Sequence, residues 1–244
     1  MLKKKWLLHL AIVVLIGVLI FSGAKIFRWV VENRKTDELV EKVNKSVSVD
    51  SSKDVFEEDR YVIDFEELKK INGDIIGWIK VEGTDIELAV VQGSDNSYYL
   101  THSLDKSYSS AGWAFMDYRN RLDGSDKNVV IYGHNRRNSS IFGTLKNVLN
   151  SEWYGNENNR FIHFVTEDGD MVYEVFSVYR IEVEDYYLQT QFGDGEFVNF
   201  VGNLKNRSVK DFGVDVGEDD SILTLSTCGD DSRYRIVLHA LLRK

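Results

Sequence analysis

The chain has 244 residues, of which 43% are apolar, 12% aromatic and 28% charged, a profile that excludes a disordered protein. Its 39 acidic and 30 basic side chains leave a net charge of −9, which argues against nucleic acid as a partner. It has no CxxC pair, no His-x-x-x-His helix and no P-loop, so no metal or other cofactor is expected.

The first residues are Met1-Leu2-Lys3-Lys4-Lys5, and a run from Trp6 to Ala24 follows with no formal charge unless His9 is protonated. As helix, at ~1.5 Å per residue, that run reaches ~28 Å, enough to cross the hydrocarbon core of a bilayer. A cleaved signal peptide is one reading, with Ser22-Gly23-Ala24 as its small-residue cleavage site. An uncleaved anchor is the other, and it is favoured because the run exceeds the usual ~7–15-residue signal core. Lysines precede the run, but Lys25, Arg28, Arg34 and Lys35 follow it, so the positive-inside rule does not decide the orientation. The expected division is a cytoplasmic tail (1–5), a transmembrane anchor (6–25), a helical tether and linker (26–59) and a folded domain (60–244) on the far side of the membrane. Roughly 185 residues are enough for one domain with a substantial core.

Residues 26–48 read as a helix, with Val40, Val43 and Val47 on one narrow face. The segment from Ser46 to Asp59 is rich in Ser, Asp, Glu and Lys and reads as a linker. Asp64-Phe65-Glu66-Glu67 has the form of an N-cap with an acid three residues on, opening a short helix to about Ile71. Strand-like runs rich in β-branched and aromatic residues then cover 77–83, 86–92, 111–117, 128–134, 160–165, 171–183, 221–228 and 234–242. Glu167-Asp168-Gly169-Asp170 is a hairpin signal between the fifth and sixth. Two helices interrupt the series, from Ser140 to about Leu149 and from Glu196 to Leu204. The pattern predicts a mainly β fold: a closed or nearly closed barrel of eight strands, with helices at its rim.

Cys228 is the only cysteine. An exported domain is often in an oxidising compartment, and one cysteine cannot form an internal disulfide. Such a thiol is an inert buried residue, an intermolecular partner or a reactive group. A reactive thiol needs a proton carrier and a group to hold an oxyanion. Of five histidines, His9 lies in the apolar run, His163 and His239 lie inside strands, and His102 lies in a loop. His134 ends the strand "NVVIYGH", where a rigid scaffold presents side chains to its loops. Ile222, Thr224, Ser226 and Cys228 share one strand face, and Arg233 and Arg235 share a face of the next strand. Under simple antiparallel pairing across Gly229–Ser232, Arg233 lies opposite Cys228 and Arg235 opposite Ser226. Either reaches the thiol's surroundings, so spacing leaves both open.

Thr-Leu-Ser-Thr-Cys at 224–228, an arginine in the following strand and Gly-His-Asn at 133–135 together resemble a sortase of class B. "SDNSYYLTHS" (94–103) and "FMDYRN" (115–120) are similar to class B segments too, and the match covers roughly residues 60 to 244. The resemblance implies an eight-stranded sortase-type barrel outside a Gram-positive cell membrane, held there by the N-terminal helix. It implies a cysteine transpeptidase that cleaves a C-terminal sorting motif of surface proteins after threonine, through a thioester. The acyl group then passes to an amine of a lipid II-type cell-wall precursor. Carried over by position, Cys228 is the nucleophile, His134 the acid/base and Arg235 the catalytic arginine. Asn96, Leu100 and Ser226 are substrate-groove positions, and groove residues that discriminate substrates are expected between Val178 and Phe192. The short connection from Cys228 to the final strand departs from the long loops common there in class B, and keeps Arg233 in competition. No buried acid partner for His134 is evident, so the active pair is expected to be a minor protonation state. A degenerate membrane-tethered peptide-binding module and another cell-wall cysteine peptidase are the alternative readings.

Overall fold

A computed structural model describes residues 2–50, 60–229 and 233–243, with the backbone alone described at 2–4, 8, 50, 60, 228 and 229. It begins with one unbroken helix, α1 (Leu2–Asn44). The apolar part of α1 is bare, with Leu19 70% and Phe27 70% exposed. It is the one helix among the described residues long and apolar enough to cross a membrane. After Trp29 the same helix turns a face onto the folded domain. Asn33, Thr36 and Val43 are buried there, and their spacing of three and then seven residues, one turn and two, is that of one helical face.

Two short strands, β1 (Val47–Asp50) and β2 (Arg60–Ile63), pair antiparallel. The segment 46–59, read as a linker, therefore begins as a strand, and residues 51–59 lie outside the described residues. The helix α2 (Phe65–Ile71) is capped as expected, the Asp64 carboxylate accepting the Glu67 N–H at 3.0 Å.

Among the described residues, eight strands close into a barrel: β3 (Ile75–Val81), β4 (Glu87–Val91), β5 (Phe115–Met116), β6 (Asn128–Asn135), β7 (Phe161–Thr166), β8 (Gly169–Glu182), β9 (Ile222–Gly229) and β10 (Tyr234–Leu242). Their order around the barrel is β10-β8-β7-β3-β4-β5-β6-β9. The pairs β4–β5 and β6–β9 are parallel and the other neighbouring pairs antiparallel. All eight strand-like runs of the sequence form barrel strands, and the hairpin at Glu167–Asp168 joins β7 to β8 in register. Trp78, Trp113, Phe115, Phe164 and Phe176 fill the core, each no more than 2% exposed. Burying an aromatic side chain of this size contributes about 2–3 kcal/mol.

The expected helix over 140–149 is instead a turn followed by a 3-10 helix at Leu145–Leu149 and a short α3 (Ser151–Tyr154). Ser139 and Ile141 hold positive φ, which breaks any regular helix at its start. The last helix, α4 (Glu196–Arg207), runs three residues past its expected end. It lies in the long excursion between β8 and β9, together with a 3-10 turn at Tyr186–Leu188.

Candidate active site

The site is built on a row across three adjacent strands. The parallel pair β6–β9 sets His134 beside Cys228, Tyr132 beside Ser226 and Val130 beside Thr224. Neighbouring strands lie ~4.8 Å apart, and residues in register share a face. On the other side of β9, β10 pairs Val237 with Ser226. The Ile236 N–H donates to the Thr227 hydroxyl at 2.9 Å, so the two strands stay in contact one residue past the last described pair. The same register continued to Cys228 meets Arg235. The pairing expected from the turn is therefore two residues out: Val237, rather than Arg235, lies opposite Ser226. The Arg233 carbonyl accepts the Val183 N–H at 3.0 Å, beyond the end of β8.

The Arg235 side chain is half-buried, and its Nη1 donates to the Tyr234 carbonyl at 3.1 Å. It borders a cleft of about 290 Å³ shared with Asn135, Lys146 and Arg180. His134 is half-buried, with Nε2 2.9 Å from the Leu100 carbonyl. A carbonyl only accepts, so Nε2 carries the hydrogen and Nδ1 is left as the nitrogen that can take one. Among the described residues no carboxylate bonds to this ring. Gly112 lets the loop approach it: φ is +60°, and a Cβ there would lie 2.8 Å from the ring's Cδ2 and 2.5 Å from the Tyr99 carbonyl.

Three positions expected in a substrate groove lie near this row: Leu100 bonds to His134, Asn96 reaches Tyr132 through Asp117, and Ser226 pairs with Tyr132. Leu100 touches His134 through its backbone. Asn96 is held by a residue that sequence reasoning left without a role, Asp117. That carboxylate is fully buried. It accepts from Asn96 Nδ2 at 2.9 Å, from the Tyr132 hydroxyl at 2.8 Å, and from Arg119 Nε and Nη2 at 2.8 and 2.7 Å. Burial pushes the carboxyl up, but the guanidinium and N–H of Arg119 and the Tyr132 hydroxyl outweigh it and hold it below the usual range. Burial and the Asp117 charge push the Tyr132 hydroxyl far up, so it stays a donor. The visible signal was an acid closing the apolar run "AFM", with an arginine two residues on.

Ser226 is buried and its hydroxyl lies 3.0 Å from that of Tyr187. Tyr187 belongs to the segment between Val178 and Phe192, and Arg119 Nη2 donates to the Leu188 carbonyl at 3.0 Å. This segment forms a wall beside the strand row. A directed chain of hydrogen bonds supports it from below. Thr224 donates to Asn128 Oδ1 at 2.6 Å, and Asn128 Nδ2 donates to the Gln189 carbonyl at 2.8 Å. With its hydrogen so used, Thr224 accepts from His239 Nδ1 at 2.8 Å. His239 Nε2 must then accept from Tyr179, whose hydroxyl lies 2.8 Å away. Burial, helped by the nearby Arg207 charge, pushes His239 down to about 3, so it is neutral. His163 is also buried, beside Asp170 at 3.1 Å. Both are structural strand residues, as their setting suggested.

Known proteins share this architecture. A family model described as a sortase domain matches residues 79–243. Sortase B of Staphylococcus aureus (strain NCTC 8325 / PS 47) is 32% identical over 246 aligned residues, covering 99% of both chains. The structure of sortase B from B. anthracis in complex with AAEK2 superposes with a TM-score of 0.73 at 34% identity, covering 87% of this chain and 96% of that one. A structure of sortase B complexed with triglycine superposes with a TM-score of 0.69 at 36% identity, covering 74% of this chain and 85% of that one.

Proposed function

The chain belongs to the sortase B family of cysteine transpeptidases, and from that membership we propose that Cys228 is its nucleophile, His134 its proton carrier and Arg235 its oxyanion-holding cation. The observation that supports this assignment is the parallel register that pairs His134 with Cys228, with the strand of Arg235 paired to the other edge of β9. His134 Nδ1 takes the proton of the Cys228 thiol, and the resulting thiolate adds to the carbonyl carbon of the threonine in a sorting motif. Arg235 swings its planar fork from the Tyr234 carbonyl onto the developing oxyanion. The C–N bond breaks as His134 gives its Nδ1 proton to the departing amine, leaving a thioester. An incoming amine then adds to the thioester and loses a proton to Nδ1. The C–S bond breaks and the thiolate returns. Throughout, the bond from Nε2 to the Leu100 carbonyl keeps the ring in one orientation, as a second-partner hydrogen bond does for any catalytic imidazole.

Asn96 and Leu100 line the path of the peptide, and the buried Ser226 supports its floor through Tyr187. The donor is a surface protein bearing the C-terminal motif, and the acceptor is a cell-wall precursor with a free amine. A relative complexed with triglycine supports an amine-bearing acceptor, because a glycine peptide ends in one. Residues 6–25 anchor the chain in the cell membrane, and the domain from residue 60 works on its outer face. The test is Cys228→Ala with a motif peptide. Mass spectrometry should find the acyl-enzyme on the wild type and none on the variant, with melting temperatures alike. A folded variant that still cleaves the peptide would remove Cys228 from the mechanism.

A further inference from the structure

A second cleft, of about 640 Å³, lies where α1 leaves its bare apolar stretch and meets the domain. Lys25, Arg28, Trp29 and Glu32 line it from the helix, and Tyr108 and Ser110 line it from the loop before Gly112. Lys25 is the first charged residue after the apolar run, and Arg28 and Trp29 follow within one turn. Among the described residues, no carboxylate pairs with Lys25 or Arg28. The acid in the cleft is already engaged: Glu32 accepts the Ser110 hydroxyl at 2.6 Å. Two large aromatic side chains face this space from opposite elements, Trp29 48% and Tyr108 68% exposed. Aromatic rings beside cations at the end of a membrane-crossing run match the headgroup layer, where one end of the ring is wet and the other apolar.

We propose that this cleft seats the headgroup of an anionic bilayer phospholipid. Lys25 and Arg28 hold the phosphate oxygens, and Trp29 and Tyr108 flank the glycerol and upper acyl chain. Charge selects the headgroup, and continuity with the apolar run selects a lipid over a soluble anion. The site is tied to the catalytic face. The Ser110 carbonyl accepts from Arg136 at 3.4 Å, and Arg136 follows His134 by two residues. A lipid held there fixes the tilt of the catalytic face over the membrane as well as its distance. The proposal rests on the anchor reading of α1.

The test uses the full chain in nanodiscs of phosphatidylcholine and phosphatidylglycerol, with retained lipid counted by native mass spectrometry. The wild type should retain phosphatidylglycerol about tenfold above its bulk proportion. Lys25→Gln/Arg28→Gln and, separately, Tyr108→Ala should bring retention to the bulk ratio, with cleavage of a soluble motif peptide unchanged. Arg34→Gln removes an exposed charge on the same helix outside the cleft and should leave retention intact. Millimolar inorganic phosphate should not displace the lipid; displacement would assign the cleft to a soluble anion and overturn the proposal. Equal retention in wild type and cleft variants, or a loss in Arg34→Gln as large as in the double variant, would also overturn it. A chain that does not enter nanodiscs would overturn the anchor reading, and the proposal with it.

Discussion

Two arginines two residues apart differ in what lies across from them. The described pairing of β9 and β10 ends at Val237 and Ser226; the same register continued meets Cys228 at Arg235, with His134 paired to Cys228 on the other side, and passes Arg233 by two residues. Arg235→Lys keeps the charge but loses the planar fork, and is expected to lower kcat/KM on a motif peptide by ~10²–10³. Arg233→Lys is expected to stay within severalfold. Melting curves for both exclude unfolding, and a crippled Arg233 variant beside an active Arg235 variant would reverse the assignment. Gly112 makes a second demand at this scale. Its φ of +60° strains any side chain, and the space for a Cβ is taken by the Tyr99 and Leu100 carbonyls and the His134 ring. Gly112→Ala should destabilise by more than ~1 kcal/mol. Because the ring must shift, kcat/KM should fall about 10²-fold, a loss larger than the change in melting temperature would suggest.

Between elements, the directed chain from Tyr179 through His239 and Thr224 to Asn128 joins β8, β10, β9 and β6 to the wall at Gln189. It holds only while His239 is neutral. The unfolded chain binds a proton near pH 6.5 and the folded chain near 3, so the unfolded state carries the extra proton between these values. This contribution to stability is complete above about pH 6.5 and is lost as pH falls below it, by about 1.4 kcal/mol per unit. His239→Gln should flatten the pH dependence of the unfolding free energy between pH 6.5 and 4 by that slope, measured by denaturant titration. The strands that build this chain were legible, because alternation and β-branched residues mark each one locally. Their neighbours were not. The parallel contact of β6 with β9 joins segments separated by α3, two further strands and α4, and nothing local encodes it. The register of β9 with β10 escaped for a related reason. A tight turn was assumed after Gly229, whereas the pairing needs a longer connection. Cys228 and His134 stood out in the sequence by their setting, and the parallel register pairs them. Asp117 was not, because its importance lies in the partners the fold gives it.

At the scale of the whole molecule, α1 is both the proposed membrane anchor and a strut of the domain. Lys35 reaches Asp105 and the Ser107 hydroxyl at 2.7 Å each, Glu32 takes Ser110, and Asn33 takes Arg136 at 3.1 Å. All of these grip loops that flank His134. Removing residues 1–25 leaves every one of them, so the soluble product should keep kcat/KM within severalfold. Removing 1–45 takes them all, together with the bond from Trp78 to Asn44. The melting temperature should then fall by roughly 5–10 °C and kcat/KM by about tenfold or more. Equal activity of the two truncations would reduce α1 to a leash.

An unbroken helix that ends in a strut is a post, and a post has a height. With α1 anchored as proposed, the helix climbs ~14 Å from Ala24 to Asn33, and the proposed catalytic row, joined there through Arg136, stands at that altitude without a hinge in α1 to lower it. A client protein held in the same membrane must lift its scissile bond to the same level. The stretch between that bond and the client's own membrane segment therefore acts as a ruler, and about four extended residues span the climb. Shorter stretches leave the bond below the blade, so a series of clients differing only in this spacer should switch from uncut to cut over one or two added residues.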